Sequence, residues 1–573
     1  MTRCCLNRES RPHLPPHAKR GAAYALPMAR PSLLRLAVLA SLALGALAPA
    51  VAQAAPAEKF PKGFMWGVAG SGFQTEMGGG PENSDPGSDW WAWVRDGQNI
   101  ASGHVSGDLP ENGPGGWSTA FKPDIELARG LGLNTWRMGT EWSRIFPTST
   151  AAVANGEQIT NADLKELDAL ADQDAVARYR TIITSARKAG LRPLVTLNHF
   201  TLPLWIHDPI AVRDALAARG ADDPLPADLT PRAGWLSDST ATEFGKYAAY
   251  MGWKFGDLVD WWAPLNEPMV VAVGGYVNVP GAYASWFPPG VNSYSASRKV
   301  IETMVAANAA AYDELRAKDR TDSDRDRRAT RIGLVHNMIN FVPADPKKPA
   351  DVKSTRNAEQ VFNRTFPNAV IRGFLDRNVN GKAEPGEKDP KMVGKADFLG
   401  VNYYFRGRIT GLGTALSTNI GLLDFLPSVT YRWALNPDGP PCPTVCSDFG
   451  NEIDVAGFGA VLREAATYKR PLLVTENGIA DAADSKRPAF LVRSLHQVWK
   501  QASRRSRSAP VIGWMHWSLT DNFEWSAGYT PKFGLHSYSP QTLERTARPS
   551  ARVLRSIARG NRIPGPLVDR WVR

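Results

Sequence analysis

The sequence predicts an α/β fold, a (β/α)8 TIM barrel with long loops at one end. Eight short apolar runs recur along the chain, and stretches of helical periodicity lie between several of them. Strand alternating with helix eight times favours a closed parallel barrel over an open sheet. The predicted strands are Phe64–Ala69, Asn134–Met138, Pro193–Leu197, Trp261–Leu265, Ile332–Val335, Asp397–Val401, Leu472–Val474 and Val511–Trp517.

Helices and loops fit the same plan. Apolar residues recur with a period near 3.6 in Asp174–Ala189, Thr240–Phe255 and Ser297–Ala317. Active sites of this fold lie at the C-terminal ends of the strands, so polar residues should collect there. They do after seven runs: Gln74, Arg137, His199, Asn266-Glu267, Tyr403-Tyr404, Glu476 and Asp521-Asn522. Long Gly/Pro-rich loops at Gly78–Gly87, Ser106–Trp117 and Ser285–Val291 are expected to wall a deep cleft at this end.

Length and charge exclude some classes of protein. The 573 residues are 43% hydrophobic, enough for a large core, and we expect a single barrel domain over residues 55–573. The net charge is +11, but residues 1–54 contribute seven basic residues and only one acidic residue. No basic stripe interleaved with aromatic residues is present, so nucleic acid is not an expected partner.

Residues 1–54 are interpreted as a pre-segment and a signal peptide. Translation is expected to start at Met28, because a basic region, an apolar run over Leu36–Leu47 and a small-residue cleavage motif ending at Ala54 follow it. The run is too short for a stable membrane anchor, although a short uncleaved anchor is the alternative. A secreted or periplasmic protein is therefore expected.

Two cysteines remain after residue 54. Cys442 and Cys446 lie in a proline-rich loop, and an oxidising compartment would favour a local disulfide between them. A zinc site is disfavoured, because no second Cys or His pair lies nearby at metal-binding spacing.

Two carboxylates are placed at the ends of two predicted inner strands. Leu472–Val474 is followed by Thr475-Glu476-Asn477-Gly478, where Asn-Gly predicts a turn, and Trp261–Leu265 is followed by Asn266-Glu267-Pro268. Taken singly, each acid would more often be a surface or ion-paired residue. Placed together at two strand ends, Glu267 and Glu476 suggest the paired carboxyl groups that glycoside hydrolysis requires.

These two motifs resemble the signatures of glycoside hydrolase family 1, the retaining β-glycosidases. The resemblance runs from Phe60-Pro61-Lys62-Gly63 to Arg548-Pro549-Ser550, and segments such as Phe73–Gly78 and Pro203–Pro209 resemble the archaeal branch. It implies that Glu476 is the nucleophile and Glu267 the acid/base, with carboxyl groups roughly 5–5.5 Å apart. Arg137 and Tyr404 match the partners of the nucleophile.

The resemblance also implies a set of sugar-binding residues: Gln74, His199, Asn266, Trp517, Glu524 and Trp525. The alternative for each is structural, with the tryptophans as barrel packing, the amides as loop caps and His199 as a core histidine. The acid at Glu524 favours an unphosphorylated glycone, because a carboxylate would repel phosphate. Phe200 stands where many members have Trp, which removes an indole N–H donor and leaves the glycone preference open.

The expected activity is hydrolysis of terminal β-linked sugars by double displacement, with a small β-glycoside or oligosaccharide as the partner and no cofactor for the chemistry. A transglycosidase using the same two glutamates is the nearest alternative, and a non-catalytic sugar-binding domain is another. A metal-dependent barrel hydrolase is disfavoured, since no His/Asp cluster with ligand spacing follows the strands.

One segment lies outside the family pattern. Residues 376–387 match the calcium-loop template D-x-[DN]-x-[DN]-G-x5-E, with Asp376, Asn378, Asn380, the Lys382 carbonyl and Glu387 as the ligands. We predict a structural Ca²⁺ site remote from catalysis. The alternative is a polar turn between a helix and the sixth strand.

Overall fold

The computed structural model describes residues 55–153, 158–278, 286–428, 430–503 and 509–573, and these contain a closed barrel of eight parallel strands. The barrel strands are β1 Met65–Ala69, β2 Thr135–Gly139, β3 Arg192–Asn198, β4 Trp261–Leu265, β5 Arg331–Asn337, β6 Phe398–Tyr403, β7 Leu472–Asn477 and β8 Val511–Trp517. Neighbours in the chain pair in parallel, and β8 closes onto β1. The predicted (β/α)8 barrel is confirmed. The pre-segment and signal peptide predicted over residues 1–54 lie outside the described residues.

Helices follow most of the strands. The α-helices are Gly72–Thr75, Asp89–Trp93, Gly97–Ala101, Phe121–Gly130, Trp142–Ile145, Asn161–Leu170, Gln173–Lys188, Pro209–Leu216, Ser239–Phe255, Pro268–Gly274, Tyr294–Lys318, Pro349–Ala358, Thr365–Pro367, Val455–Ala465, Arg487–Ala502, Pro549–Gly560 and Gly565–Trp571. Two π-helical segments, Glu359–Arg364 and Asn368–Arg372, interrupt the helical region before β6. Short 3-10 turns occur at Pro81–Asn83, Pro110–Asn112, Gly234–Leu236, Pro385–Glu387, Pro390–Met392, Ala466–Tyr468 and Trp525–Ala527.

The helix Gln173–Lys188 shows how the sequence specifies these elements. The Asp172 side chain caps it by accepting the Ala175 N–H, and basic residues in its last turn complement the helix dipole. Val176, Tyr179, Ile183 and Ala186 recur at helical spacing and are buried. The periodicity therefore placed this helix within one residue at each end.

The end of β7 corrects one expectation. The strand was predicted to stop at Val474, with Asn477-Gly478 as a turn, but it continues to Asn477. The Asn477 side chain donates to the Tyr403 carbonyl oxygen at 2.7 Å, which ties it to β6 instead of to a turn. Gly478 is required for another reason, because a Cβ there would lie 2.1 Å from the Trp517 carbonyl oxygen. The pairing register of β7 shifts between Val474 and Glu476, so a bulge precedes the carboxylate.

Smaller sheets form in addition to the barrel. Glu58–Lys59 pairs with Arg562–Ile563, His536–Tyr538 pairs with Arg545–Ala547, and Asn340–Pro343, Arg406–Gly411 and Phe425–Ser428 form a three-stranded sheet. Cys442 and Cys446 form a disulfide, which confirms that pairing. In the part of the chain that the structure describes, no helix has both the length and the apolar character of a membrane span.

Candidate active site

Glu476 lies near the end of β7, and its carboxylate has two strong partners. Arg137, from β2, forms an ion pair with Oε1, and the Tyr404 hydroxyl donates to Oε2. Both Arg137 and Glu476 are buried. The guanidinium is held in turn by Thr196, whose Oγ1 accepts from Nε at 3.1 Å, and by Asn266, whose Oδ1 accepts from Nη2 at 2.6 Å. This network fixes the direction of the Glu476 carboxylate through charge-assisted hydrogen bonds.

Glu267 follows β4 and occupies an uncommon backbone conformation. Its φ is 47°, in the left-handed region that non-glycine residues rarely adopt, and Pro268 begins the next helix directly after it. Its N–H donates to the Val335 carbonyl oxygen at 2.9 Å, which anchors the turn to β5. Such strained backbone is concentrated at functional sites, where the surrounding structure holds it.

Burial raises the pKa of Glu267 to about 8, and the negative charge of Glu476 contributes to that rise. The Asn402 amide donates to Glu267 Oε1 at 2.7 Å and, like the charge of Arg137, opposes the rise. Glu267 is therefore protonated near neutral pH, while Glu476 is paired with the arginine. One cavity thus contains a carboxyl group suited to donate a proton and a carboxylate held by an arginine.

The amide of Asn266 determines the tautomer of His199. Asn266 Oδ1 accepts from Arg137 and from Asn402, so its Nδ2 is the atom that donates to His199 Nε2, at 3.1 Å. Burial holds the pKa of His199 well below its usual range, so the ring is neutral and carries its proton on Nδ1. Nδ1 has no hydrogen-bond partner among the described residues. His199 lines the cavity beside both glutamates, where this N–H is suited to bind a sugar hydroxyl.

Glu524 and Gln74 form a second polar group. Burial and the charge of Glu476 raise the pKa of Glu524 to about 8, while hydrogen bonds from Trp517 and Gln74 oppose the rise. Gln74 Nε2 donates to the Phe523 carbonyl oxygen at 2.8 Å and lies 3.5 Å from Glu524 Oε2. Gln74 thus supports Glu524 from behind and is not among the residues that line the cavity. Glu524 is partly exposed and does line it.

Aromatic side chains form much of the wall of this cavity. The rings of Trp517 and Trp525 both stack with the ring of His199, at centroid distances of 5.7 and 5.8 Å. Phe200 packs edge-on against Trp525 at 5.0 Å between ring centroids, so it contributes an apolar face to the cavity. The cavity also contacts Trp286 and Phe287, from the predicted loop Ser285–Val291, of which the structure describes residues 286–291.

Several contributors were not predicted. Asn402 and Asn337 both donate to Glu267 Oε1, and Phe449 and Asn451 line the cavity a few residues after the disulfide loop. Asn402 lies inside β6, where no motif marked it; its position directly before Tyr403-Tyr404 was the available signal. Conversely, Tyr403, the last residue of β6, and Asp521, which follows β8, have structural contacts. The Tyr403 hydroxyl donates to the Asp454 carbonyl oxygen, and Asp521 pairs with Arg548.

The predicted calcium ligands lie together in one loop. The two oxygens of Asp376 accept the Asn380 and Gly381 N–H groups at 2.8 and 2.6 Å, and those of Glu387 accept the Arg377 and Glu384 N–H groups. Asn378 and Asn380 donate to Glu384 through their side-chain amides. These hydrogen bonds all lie within the loop, and none of its residues lines the catalytic cavity.

A protonated carboxyl group and an arginine-paired carboxylate, opening into one cavity at the C-terminal ends of barrel strands, define a glycoside hydrolase site. The family model described as glycosyl hydrolase family 1 matches residues 56–211 and 223–563, and the chain belongs to this family. It is therefore a β-glycosidase of the retaining class.

Similar proteins support the predicted affinity to the archaeal branch. The beta-galactosidase of Pyrococcus woesei is 38% identical over 535 residues, which cover 90% of this chain and 100% of that protein. The beta-galactosidase of Saccharolobus solfataricus is 36% identical, covering 87% and 95%. Among solved structures, the beta-glycosidase of Thermosphaera aggregans superimposes with a TM-score of 0.75 at 35% identity, covering 89% of this chain and 99% of that one.

The pKa of Glu267 predicts the alkaline side of the pH profile. Since the acid must be protonated to assist the leaving group, kcat/KM is expected to fall as pH rises through about 8. Measuring kcat/KM from pH 5 to 10 on an aryl β-glycoside checks this. Glu524 titrates in the same range, so the control is Glu267→Gln with a dinitrophenyl glycoside, which needs no acid. Persistence of the alkaline fall in that variant would assign it to Glu524.

Proposed function

We propose that this β-glycosidase removes terminal, unphosphorylated β-linked sugars by double displacement, with Glu476 as nucleophile and Glu267 as acid/base. The observation that carries the proposal is the division of the two carboxyl groups. Glu476 is bound by Arg137 and Tyr404, whereas the pKa of Glu267 is raised to about 8 in the same cavity.

In the first step a Glu476 carboxylate oxygen attacks the anomeric carbon, the bond to the aglycone oxygen breaks, and Glu267 gives its proton to that oxygen. In the second step water attacks the same carbon, Glu267 takes its proton, and the bond to Glu476 breaks. Two inversions give net retention. Asn266 lies between Arg137 and His199, where its amide can contact the sugar beside the nucleophile.

The glycone is proposed to carry no phosphate. Glu524 and Glu476 are both acidic groups in the cavity, and the described cavity lining includes no lysine or arginine to bind a phosphoryl group. The neutral Nδ1–H of His199 and the carboxyl group of Glu524 are suited to hydroxyl groups instead.

A panel of nitrophenyl β-D-glycosides tests the proposal. The wild-type protein is expected to release nitrophenol from at least one of the gluco, galacto, fuco and manno compounds, with the β-anomer as the first sugar product by NMR. The panel also identifies the glycone. Turnover that appears only when an acceptor sugar or alcohol is added would favour the transglycosidase. Inactivity of the folded protein towards every compound, with and without acceptor, would contradict the proposal.

Export is also proposed. The signal features before Ala55 support it, as does the Cys442–Cys446 disulfide, which is of the kind found in oxidising compartments. N-terminal sequencing of protein recovered from the periplasm or the medium is expected to begin at Ala55; recovery from the cytoplasm with the segment intact would count against export.

For residues 376–387 we retain the proposal of a structural Ca²⁺ site. Each carboxylate oxygen of Asp376 and Glu387 accepts one backbone N–H and keeps a lone pair for a cation. With a Kd of about 1 mM, typical of weak extracellular sites, 10 mM Ca²⁺ would stabilise the protein by about 1.4 kcal/mol. A small rise in Tm is expected with Ca²⁺ but not in Glu387→Gln. An unchanged Tm in the wild type would refute the site.

A further inference from the structure

A second cavity lies next to the catalytic one. All but three of the residues that line it are apolar. Two of the three, Ser297 and Thr365, donate their hydroxyl groups to the Ala272 and Gln360 carbonyl oxygens. The third, Arg298, is partly exposed, although its Nε is buried and has no hydrogen-bond partner among the described residues. Protein interiors contain few voids larger than a water molecule, and a pocket with an apolar lining is suited to bind an apolar ligand. Its lining suits a hydrocarbon and not a sugar.

The two cavities share a wall. Val273, Ile339 and Phe362 line both of them, and no polar or charged side chain belongs to this shared set. Phe362 lies in the π-helical segment Glu359–Arg364 and packs edge-on against Phe341 of the second cavity, at 6.1 Å between ring centroids. An apolar group that leaves the catalytic cavity on this side therefore meets a continuous hydrocarbon surface.

The acid/base residue identifies which part of the substrate faces that side. Glu267 protonates the leaving oxygen, so the aglycone lies next to it. Glu267 directly precedes the helix Pro268–Gly274, on which Val270 and Val273 line the catalytic cavity and Met269 and Val273 line the second one. Val273 is six residues beyond Glu267, roughly 9 Å along the helix axis. The helix that follows the acid thus reaches from the catalytic cavity to the second one.

We propose that this second cavity binds the aliphatic chain of the aglycone, so that the enzyme acts on amphiphilic β-glycosides whose aglycone is a medium or long hydrocarbon chain. This inference rests on the proposed function, because it assigns the aglycone of the same reaction. The sugar occupies the polar end between Glu476 and Glu524, and the chain passes Val273 into the space between Ile301, Leu423 and Phe425.

A series of alkyl β-glycosides from methyl to nonyl, each below its critical micelle concentration, tests the inference. Full burial of a methylene corresponds to about a fourfold gain. We therefore expect kcat/KM to rise roughly two- to fourfold per methylene beyond butyl, or roughly 30- to 1,000-fold from butyl to nonyl. If the enzyme hydrolyses aryl glycosides but its kcat/KM does not change with alkyl chain length, the inference is overturned and the proposed function stands. Inactivity towards aryl and alkyl glycosides alike would refute both.

A variant in the second cavity tests where the alkyl chain binds. Leu423 is buried, lines the second cavity and does not line the catalytic one. Leu423→Trp fills the space, so the gain beyond butyl should disappear while aryl-glycoside kcat/KM stays within about twofold. Leu423→Met, which conserves volume, should keep the gain. If Leu423→Trp still hydrolyses aryl glycosides and its kcat/KM across the alkyl series is unchanged, the alkyl chain binds elsewhere and the inference is overturned. If that variant does not fold, Ile301→Phe fills the same cavity from the helix Tyr294–Lys318.

Discussion

Replacing Glu476 by glycine is expected to lower kcat on aryl β-glycosides by roughly 10⁴- to 10⁶-fold, the range seen when a catalytic nucleophile is removed. Without the carboxylate no covalent intermediate forms, and water alone must attack the anomeric carbon. Glycine is chosen because it leaves a space in the site where the side chain was. Arg137 and the Tyr404 hydroxyl, which held the carboxylate, are left facing an empty space the size of the missing side chain.

That space should bind a small anion. Azide is expected to restore turnover, because the Arg137 guanidinium attracts it to the position from which Glu476 attacked. The product should be the α-glycosyl azide, since a single displacement inverts the configuration. Glu476→Gln is the matched control: it removes the charge but fills the space, so azide should not rescue it. Formation of a β-azide by Glu476→Gly would show that another group is the nucleophile.

Loss of folding must be separated from loss of chemistry. Arg137 and Glu476 are both buried, with side-chain exposures of 0% and 4%, and breaking such a pair costs about 3–5 kcal/mol because a buried charge is left unpaired. The Tm of Glu476→Gly is therefore expected to fall, and azide should raise it again. Circular dichroism at the assay temperature confirms that the variant is folded when its rate is measured.

The sequence was sufficient for the barrel because its strands are buried on both faces. β4 and β7 are buried along their whole length, so each appears in the sequence as an apolar run, and the carboxylates appear where the runs end. The two glutamates and the sugar-binding set needed the family resemblance as well. Spacing alone does not distinguish Tyr404, which holds Glu476, from Tyr403, which packs on the scaffold; the alternation of a strand decides between them.

What the sequence did not predict depends on contacts between distant segments. Asn402 contacts both Glu267 and Asn266, but no motif includes it, and only its position directly before Tyr403-Tyr404 points to it. Gly478 was interpreted as a turn residue, and only the approach of the Trp517 carbonyl oxygen shows why glycine is needed. The second cavity is formed by segments between Met269 and Pro427, whose apolar residues are indistinguishable in the sequence from ordinary core.

Glu267→Ala is expected to lower kcat/KM by an amount that depends on the leaving group. General acid catalysis contributes roughly 10²- to 10⁴-fold. We expect a loss of that order for alkyl glycosides, whose alkoxide needs a proton, and little loss for dinitrophenyl glycosides, whose phenolate leaves unaided. A plot of log kcat/KM against leaving-group pKa should therefore become steeper than in the wild type. A uniform loss across leaving groups would indicate that Glu267 serves binding or positioning and not proton transfer.

Azide distinguishes the two glutamates within the same experiment. In Glu267→Ala the nucleophile remains, so the glycosyl-enzyme still forms, and azide attacks it without needing a base to take a proton. This second inversion gives the β-glycosyl azide, the opposite anomer from that expected of Glu476→Gly.

Glu267→Gln is the matched control, because it fills the site and keeps a hydrogen bond with Asn402. It should show the same dependence on the leaving group, with weaker rescue by azide. Opposite anomers from the two positions would follow only if the carboxyl groups act on opposite faces of the sugar. That outcome would establish the division of roles which the raised pKa of Glu267 and the Arg137 ion pair of Glu476 indicate.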